Sequence, residues 1–205
     1  MVNLLNRYEL KYIYSLLDFK LIYNEIMLSP YLFKETHQLR RVNNIYFDSI
    51  NYYSYEENLS GVGYREKYRI RWYEPFFVQT RLEKKIKKGQ LGYKEFFNMP
   101  SIILEDFLWN DYKLLVKDLD MCDLTKQELL SKIPTVYVSY DRRYFVSACG
   151  RFRFTIDFNI IYQKISNGSI GKRVVKEDAI ILELKFSEKD DDKAKIITQQ
   201  LSERM

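Results

Sequence analysis

Residues Tyr64 to Tyr73 read Tyr-Arg-Glu-Lys-Tyr-Arg-Ile-Arg-Trp-Tyr, with Arg65, Lys67, Arg69 and Arg71 at every second position. Successive side chains of a β-strand point to opposite faces, whereas a helix would scatter these four cations around its circumference. The segment is therefore predicted to be a strand with a cationic face, and with Glu66, Tyr68, Ile70 and Trp72 on the other. A chain carrying such a strand must bury one side and give the other a use for concentrated positive charge.

The same two-residue period recurs. Arg7, Glu9 and Lys11 share a face, as do Glu83 with Lys85, Arg151, Arg153, Thr155 and Asp157 together, and Glu183 with Lys185. The opposite positions hold Tyr8, Leu10, Tyr12, Leu82, Phe152, Phe154, Ile156, Leu182, Leu184 and Phe186, all suited to packing under helices or loops. Eighteen Tyr and 13 Phe tilt the class further toward strands, because aromatic residues fit a pleated, half-buried surface. Strands are expected near 7–13, 39–48, 64–73, 78–87, 91–97, 135–146, 151–157 (with 159–164 extending it) and 180–186. Helices are expected from Ser15 to about Ser29, over Ile102 to Trp109, between Leu124 and Lys132, and from Asp190 to Met205. With 205 residues and no linker-like tract, the expectation is a single domain over 1–205, α+β but mainly β.

Several function classes are excluded or demoted. His37 is the only histidine, so a Ser-His triad or a two-His zinc site would rest on that residue alone, and it reads as an ordinary loop position. Cys122 and Cys149 have no zinc or redox spacing and point to a reducing, cytoplasmic compartment. No apolar run is long enough to cross a membrane, so none is expected by this chain alone. Phosphate-binding glycine loops of the P-loop or dinucleotide type are absent. Gly89-Gln90-Leu91-Gly92 matches the G-x-x-G of a nucleic-acid-binding loop, but its flanks read as strands. Lys84, Lys87 and Lys88 read as a solvated hairpin tip, and Asp190-Asp191-Asp192 as helix N-terminal charge. Tyr46 and Trp72 read as core or wall residues.

A face built from Arg7, Lys11, Arg65, Lys67, Arg69, Arg71, Lys85 and Arg153 is unlike an ordinary solvated sheet face. If the sheet curls so that these faces meet, the lumen is dense in cations and asks for a polyanion. Arginine pairs with phosphate oxygens through its planar donors, and lysine adds point charge. Carboxylates in a phosphate site make sense chiefly as ligands of Mg²⁺ or Mn²⁺.

Read in order, these motifs form a set: Arg7-x-Glu9-x-Lys11-Tyr12, Tyr46-Phe47-Asp48-Ser49, the Arg65 to Tyr73 row, Leu82-Glu83-x-Lys85, Tyr140-x-Arg142, Arg153-x-Thr155-x-Asp157 and Leu182-Glu183-x-Lys185. The set resembles the VTC domain, the polyphosphate polymerase branch of the triphosphate tunnel metalloenzyme, or CYTH-like, superfamily. The resemblance implies an antiparallel, closed β-barrel of about eight strands with helices packed outside. It also implies metal-dependent transfer of the terminal phosphate of ATP to a polyphosphate chain, with Mn²⁺ or Mg²⁺ as cofactor. By motif match Lys11, Arg69, Arg71, Lys85, Lys94, Arg142 and Arg153 hold phosphates and Glu183 holds the metal. Arg65 and Lys67 join the phosphate set from the row, and Arg69, Arg71, Lys85 and Arg142 form the catalytic set. Glu9, Glu83 and Asp157 are added from facing alone, as secondary metal or orienting groups.

The hydrolase branch of the superfamily begins with Glu-x-Glu-x-Lys, and Arg7 at its first position favours the polymerase branch. VTC domains usually close with a Ser-Lys-Tyr-like segment that supplies a lysine. Ser202-Glu203-Arg204-Met205 stand there instead, leaving Lys193, Lys195 or Arg204 as substitutes. Expected partners are ATP, polyphosphate or another triphosphate. A triphosphatase of the same fold and a non-catalytic polyphosphate sensor are the alternatives. Single-stranded nucleic-acid binding ranks last, because alternation sets Arg and aromatic residues on opposite faces.

Overall fold

The computed structural model describes residues 7–74, 78–89, 91–99 and 109–202. They form two compact units. The first is built mainly from Arg41–Ser139 and Ile161–Lys176, the second from Leu5–Arg40, Tyr140–Ile160 and Glu177–Met205. The strands β7 (Ile133–Val146) and β8 (Arg153–Ser166) contribute residues to both.

In the first unit, β7 is followed in hydrogen-bonded order by β3 (Arg40–Asp48), β4 (Tyr64–Tyr73), β5 (Val78–Lys88) and β6 (Leu91–Asn98). The pairs β3 with β4, β4 with β5 and β5 with β6 are antiparallel. Gly89 turns the β5–β6 hairpin at φ +60, a left-handed conformation that favours glycine. The even-numbered residues of β4 behave as the alternation requires: Tyr68, Ile70 and Trp72 are buried with Ile45, Phe47 and Leu82. They pack under α3 (Trp109–Asp118) and α4 (Asp123–Leu130), whose Tyr112, Val116 and Leu129 are fully buried. The Tyr112, Leu115, Val116 and Leu119 spacing is that of an apolar helix stripe and was available in the sequence.

The polar, tyrosine-rich stretch after β3, for which no helix was expected, forms the helix α2 (Tyr53–Leu59). Its start is fixed from outside the helix: the Asp48 carboxylate accepts from the Ser54 and Tyr55 amides at 2.8 and 3.0 Å, and Ser49 Oγ accepts from the Tyr53 amide at 3.0 Å. The Asp48-Ser49 motif thus caps a helix.

In the second unit the order is β1 (Arg7–Ser15), β10 (Ala179–Ser187), β8 and β7, with the short β2 (Lys34–Glu35) on β7. Its core joins Phe152, Phe154, Ile156, Leu182, Leu184 and Phe186 to α1 (Phe19–Met27) and α5 (Asp191–Ser202). The strand β9 (Ser169–Glu177), not expected from sequence, pairs with β8 across the turn at Asn167 and Gly168.

The whole path reads β1-β10-β8-β7-β3-β4-β5-β6, with β2 and β9 off it. It has the eight strands expected, but among the described residues no pairing returns from β6 to β1. The expected closed barrel is therefore corrected to an open sheet. Closure demands a register in which the outer edges of the first and last strands bond to each other, and the alternation of charge, which sets facing only, cannot supply that. The sequence helix over Ile102 to Trp109 lies, up to residue 108, outside the described residues. Among the described residues no helix is long and apolar enough to cross a membrane.

Leu82 is fully buried at the centre of the first unit's core. Leu82→Ala is expected to lower unfolding free energy by about 2–5 kcal/mol, read by urea denaturation.

Candidate functional site

The antiparallel register turns the first unit's alternating strands into a lattice of side chains on one face. In one row across the strands, Lys67 stands opposite Lys85, and Lys85 opposite Lys94. In the next row Tyr46, Arg69, Glu83 and Phe96 are successive partners, and beyond it Asn44, Arg71, Arg81 and Asn98. Arg65 and Lys87 form a further cationic pair. Neighbouring strands lie about 4.8 Å apart, so the register concentrates positive charge across three adjacent strands.

Glu83 organises this face. It is 1% exposed and receives Arg69 Nε at 2.8 Å on one oxygen and Arg81 Nε at 2.9 Å on the other. Burial alone would raise its pKa, but the charges of Arg69, Arg71 and Lys94 and the hydrogen bond from Arg69 outweigh this and hold it well below the ordinary carboxylate range. Arg69 also donates to the Tyr46 hydroxyl at 3.2 Å, and buried Arg71 donates to Asn44 Oδ1 at 2.8 Å. Both guanidiniums are thus aimed by neutral or anionic neighbours before any ligand arrives.

The charged face of the second unit is a checkerboard. Lys11 stands opposite Glu183 and Glu9 opposite Lys185, with Thr155 and Arg153 next in the two rows. Lys11 Nζ lies 3.3 Å from Glu9 and 3.2 Å from Glu183, and Lys185 Nζ lies 2.5 Å from Glu183 and 3.8 Å from Glu9. Burial would lower the Lys11 pKa, but the two glutamates win and push it up to about 12. Burial would likewise raise Glu183, yet the charges of Lys185, Lys11 and Arg142 hold it far below the usual range. Arg142 makes a two-pronged pair with buried Asp157 and lies over the Tyr140 ring at 5.0 Å. Arg153 is exposed.

A family model described as the VTC domain matches residues 6–205. The chain belongs to the VTC domain family. Among curated proteins none matches the sequence significantly. Solved structures share the VTC domain's fold at low identity. A Hippeastrum protein, described as an adenylyl cyclase candidate with a dominant triphosphatase activity, is 12% identical with a TM-score of 0.57, covering 96% of this chain and 86% of that one. Adenylate cyclase candidates from Bacillus halodurans and Vibrio parahaemolyticus are 13% and 10% identical, with TM-scores of 0.54 and 0.52. They cover 99% and 96% of this chain and 90% of each of their own.

The structure of the VTC domain thus sorts the expected residues by unit. Arg65, Lys67, Arg69, Arg71, Glu83, Lys85 and Lys94 share the first unit's face, and Glu9, Lys11, Arg142, Arg153, Asp157 and Glu183 the second's. The Arg7 side chain lies outside the described residues. Two readings need correction. Lys84 is not at a solvated tip: it is buried on the opposite face, 3.0 Å from Glu66 and 2.9 Å from Glu128. An odd-even shift of one residue decides this, since Leu82 and Ile86 share its face. Arg151 is not on the strand but in the turn before it, where it pairs with Asp190 at 3.0 Å. His37 is exposed and contacts Arg40 and the Tyr144 ring. Lys195 pairs with Asp191 on α5 at 2.7 Å. Sequence reasoning missed Arg81, although its period-2 relation to Glu83 placed it on the same face.

Glu83 and Glu183 both have pKa values below the ordinary 4.5. Their ion pairs therefore stabilise the native state fully above that pH and lose their contribution as pH falls below it. Glu83→Gln is expected to cost about 3 kcal/mol at neutral pH, a difference that shrinks steadily below about pH 4.5 when unfolding is followed by denaturant titration.

Proposed function

We propose that this VTC domain binds a nucleoside triphosphate or polyphosphate with a divalent metal ion and transfers the terminal phosphate of ATP to a growing polyphosphate chain. The observation that carries the reading is the Lys67, Lys85 and Lys94 row, flanked by Arg69 and Arg71 on one side and Arg65 on the other. A linear phosphate polyanion spreads negative charge along its length, and its oxygens suit both the lysine point charges and the arginine forks.

The metal fits the chemistry of the second unit's face. Among the described residues no group of three or more acidic, Cys or His side chains forms a complete metal site. Glu9 and Glu183, joined through Lys11 and Lys185, are a pair of carboxylates of the kind that holds Mg²⁺ or Mn²⁺ together with substrate phosphates. An ion held there would supply positive charge to substrate phosphate oxygens. Asp157 is held by Arg142, and Glu83 by Arg69 and Arg81, so both act here as orienting groups.

In the transfer, an oxygen of the chain terminus attacks the γ-phosphorus of ATP, the bond to the bridging oxygen breaks, and ADP leaves. The attacking phosphate is already ionised and needs no base. That suits carboxylates such as Glu83 and Glu183, whose depressed pKa values make them poor proton acceptors. On the first unit's face Arg69, Arg71 and Lys85 stabilise charge on the transferring group, and Arg65, Lys67 and Lys94 position the chain; Lys11, Arg142 and Arg153 are the phosphate-binding cations of the second unit's own face.

A triphosphatase is the second reading. Glu9 favours it: partly exposed, it is the carboxylate placed to orient a water. The purified protein with ATP and Mn²⁺, primed with short polyphosphate, is expected to make chains visible on a stained gel. Arg71→Ala and Glu183→Ala should each reduce chain growth about 100-fold or more. Phosphate release from tripolyphosphate without chain growth would establish the hydrolase instead, and full activity in both variants would remove these residues from the site.

A further inference from the structure

Alternation sends Tyr68 and Trp72 of β4 away from the cations, into the core, but on β6 an aromatic residue shares the cationic face. Phe96 is a direct partner of Glu83 and lies two residues from Lys94, so its ring stands on the same face as the lysine row. It is only partly buried. The Arg81 guanidinium lies 4.7 Å from the centre of the ring and is itself fastened to Glu83 by its Nε at 2.9 Å. Tyr46, the other aromatic residue in that cross-strand row, uses its hydroxyl to accept from Arg69. Phe96 has no polar group to offer a phosphate, and its partly open apolar ring among cations does nothing for a purely inorganic chain.

A flat π surface topped by a fixed guanidinium is the chemistry that stacks a nucleobase. Residues two apart on a strand are about 6.8 Å apart, so Phe96 stands one such step from Lys94, a gap a ribose bridges between a base and its first phosphate. We infer that Phe96, with Arg81 laid over it, is the base platform of the first unit's face, and that it gives a nucleoside triphosphate an advantage over inorganic tripolyphosphate. The inference rests on the reading that this face holds a triphosphate, and it adds the residues that distinguish a nucleotide from an inorganic chain. It also gives the pairing of Arg81 with Glu83 a use: it keeps the guanidinium over the Phe96 ring.

The alternative is that Phe96 only packs Arg81 into place, and two substitutions separate the two roles. Phe96→Leu keeps apolar bulk under Arg81 but removes the π face, whereas Phe96→Tyr keeps it. Calorimetric titration with a non-hydrolysable ATP analogue and with tripolyphosphate, both with Mn²⁺, is the measurement. Phe96→Leu is expected to weaken the ATP analogue about tenfold, leave tripolyphosphate unchanged, and be rescued by Phe96→Tyr. Equal weakening of both ligands, or no weakening of the ATP analogue, overturns the platform while leaving the phosphate face intact. Failure of the unsubstituted protein to bind tripolyphosphate would instead bring down the phosphate reading, and the platform with it.

Discussion

The burial of one face of β4 is the constraint on which the first unit depends. Tyr68, Ile70 and Trp72 are each at most 4% exposed beneath α3 and α4. Because successive side chains must point oppositely, that burial leaves Arg65, Lys67, Arg69 and Arg71 no choice of direction. A slip of one residue would put four cations into the apolar core, so the hydrophobic effect that folds the strand also sets its register. The cationic face is thus held by the stability of its reverse side. The apolar contacts that do the holding need no ligand.

The two charged faces treat charge differently, and the difference is informative. On the second unit Glu9, Lys11, Glu183 and Lys185 alternate so that each charge has an opposite one within reach. Such a lattice is close to self-sufficient. On the first unit Glu83, in the row with Arg69, is committed to Arg69 and Arg81. Its role is to set the angles of two guanidiniums. Preorganised charge of this kind is already in place when a ligand binds, and reorganising it at that moment would cost rate.

Much of this was readable along the chain. The period-2 rows of β1, β4, β8 and β10, the core positions facing away from them, and the family that they resemble all follow from local sequence, because strand facing is a local property. The helices α2 and α3 were harder. Asp48 and Ser49 cap α2 from the end of a strand, and the Tyr112 to Leu119 stripe of α3 is short and broken by charged residues. Lys84 was misread for a related reason: three basic residues near a hairpin look solvated until Glu128, 44 positions away, is brought to one of them.

The sequence by itself determined which side chains share a face, since alternation needs only neighbours. It thereby determined that the protein has charged faces suited to phosphate. Only the tertiary structure decided which strands lie side by side. Cross-strand register, a long-range property, set Lys67, Lys85 and Lys94 in one row, placed Phe96 against Glu83, and gave Asp157 to Arg142. It also left β6 and β1 without a mutual pairing among the described residues, because closing a sheet depends on the summed stagger of every strand, which no single stretch of sequence encodes.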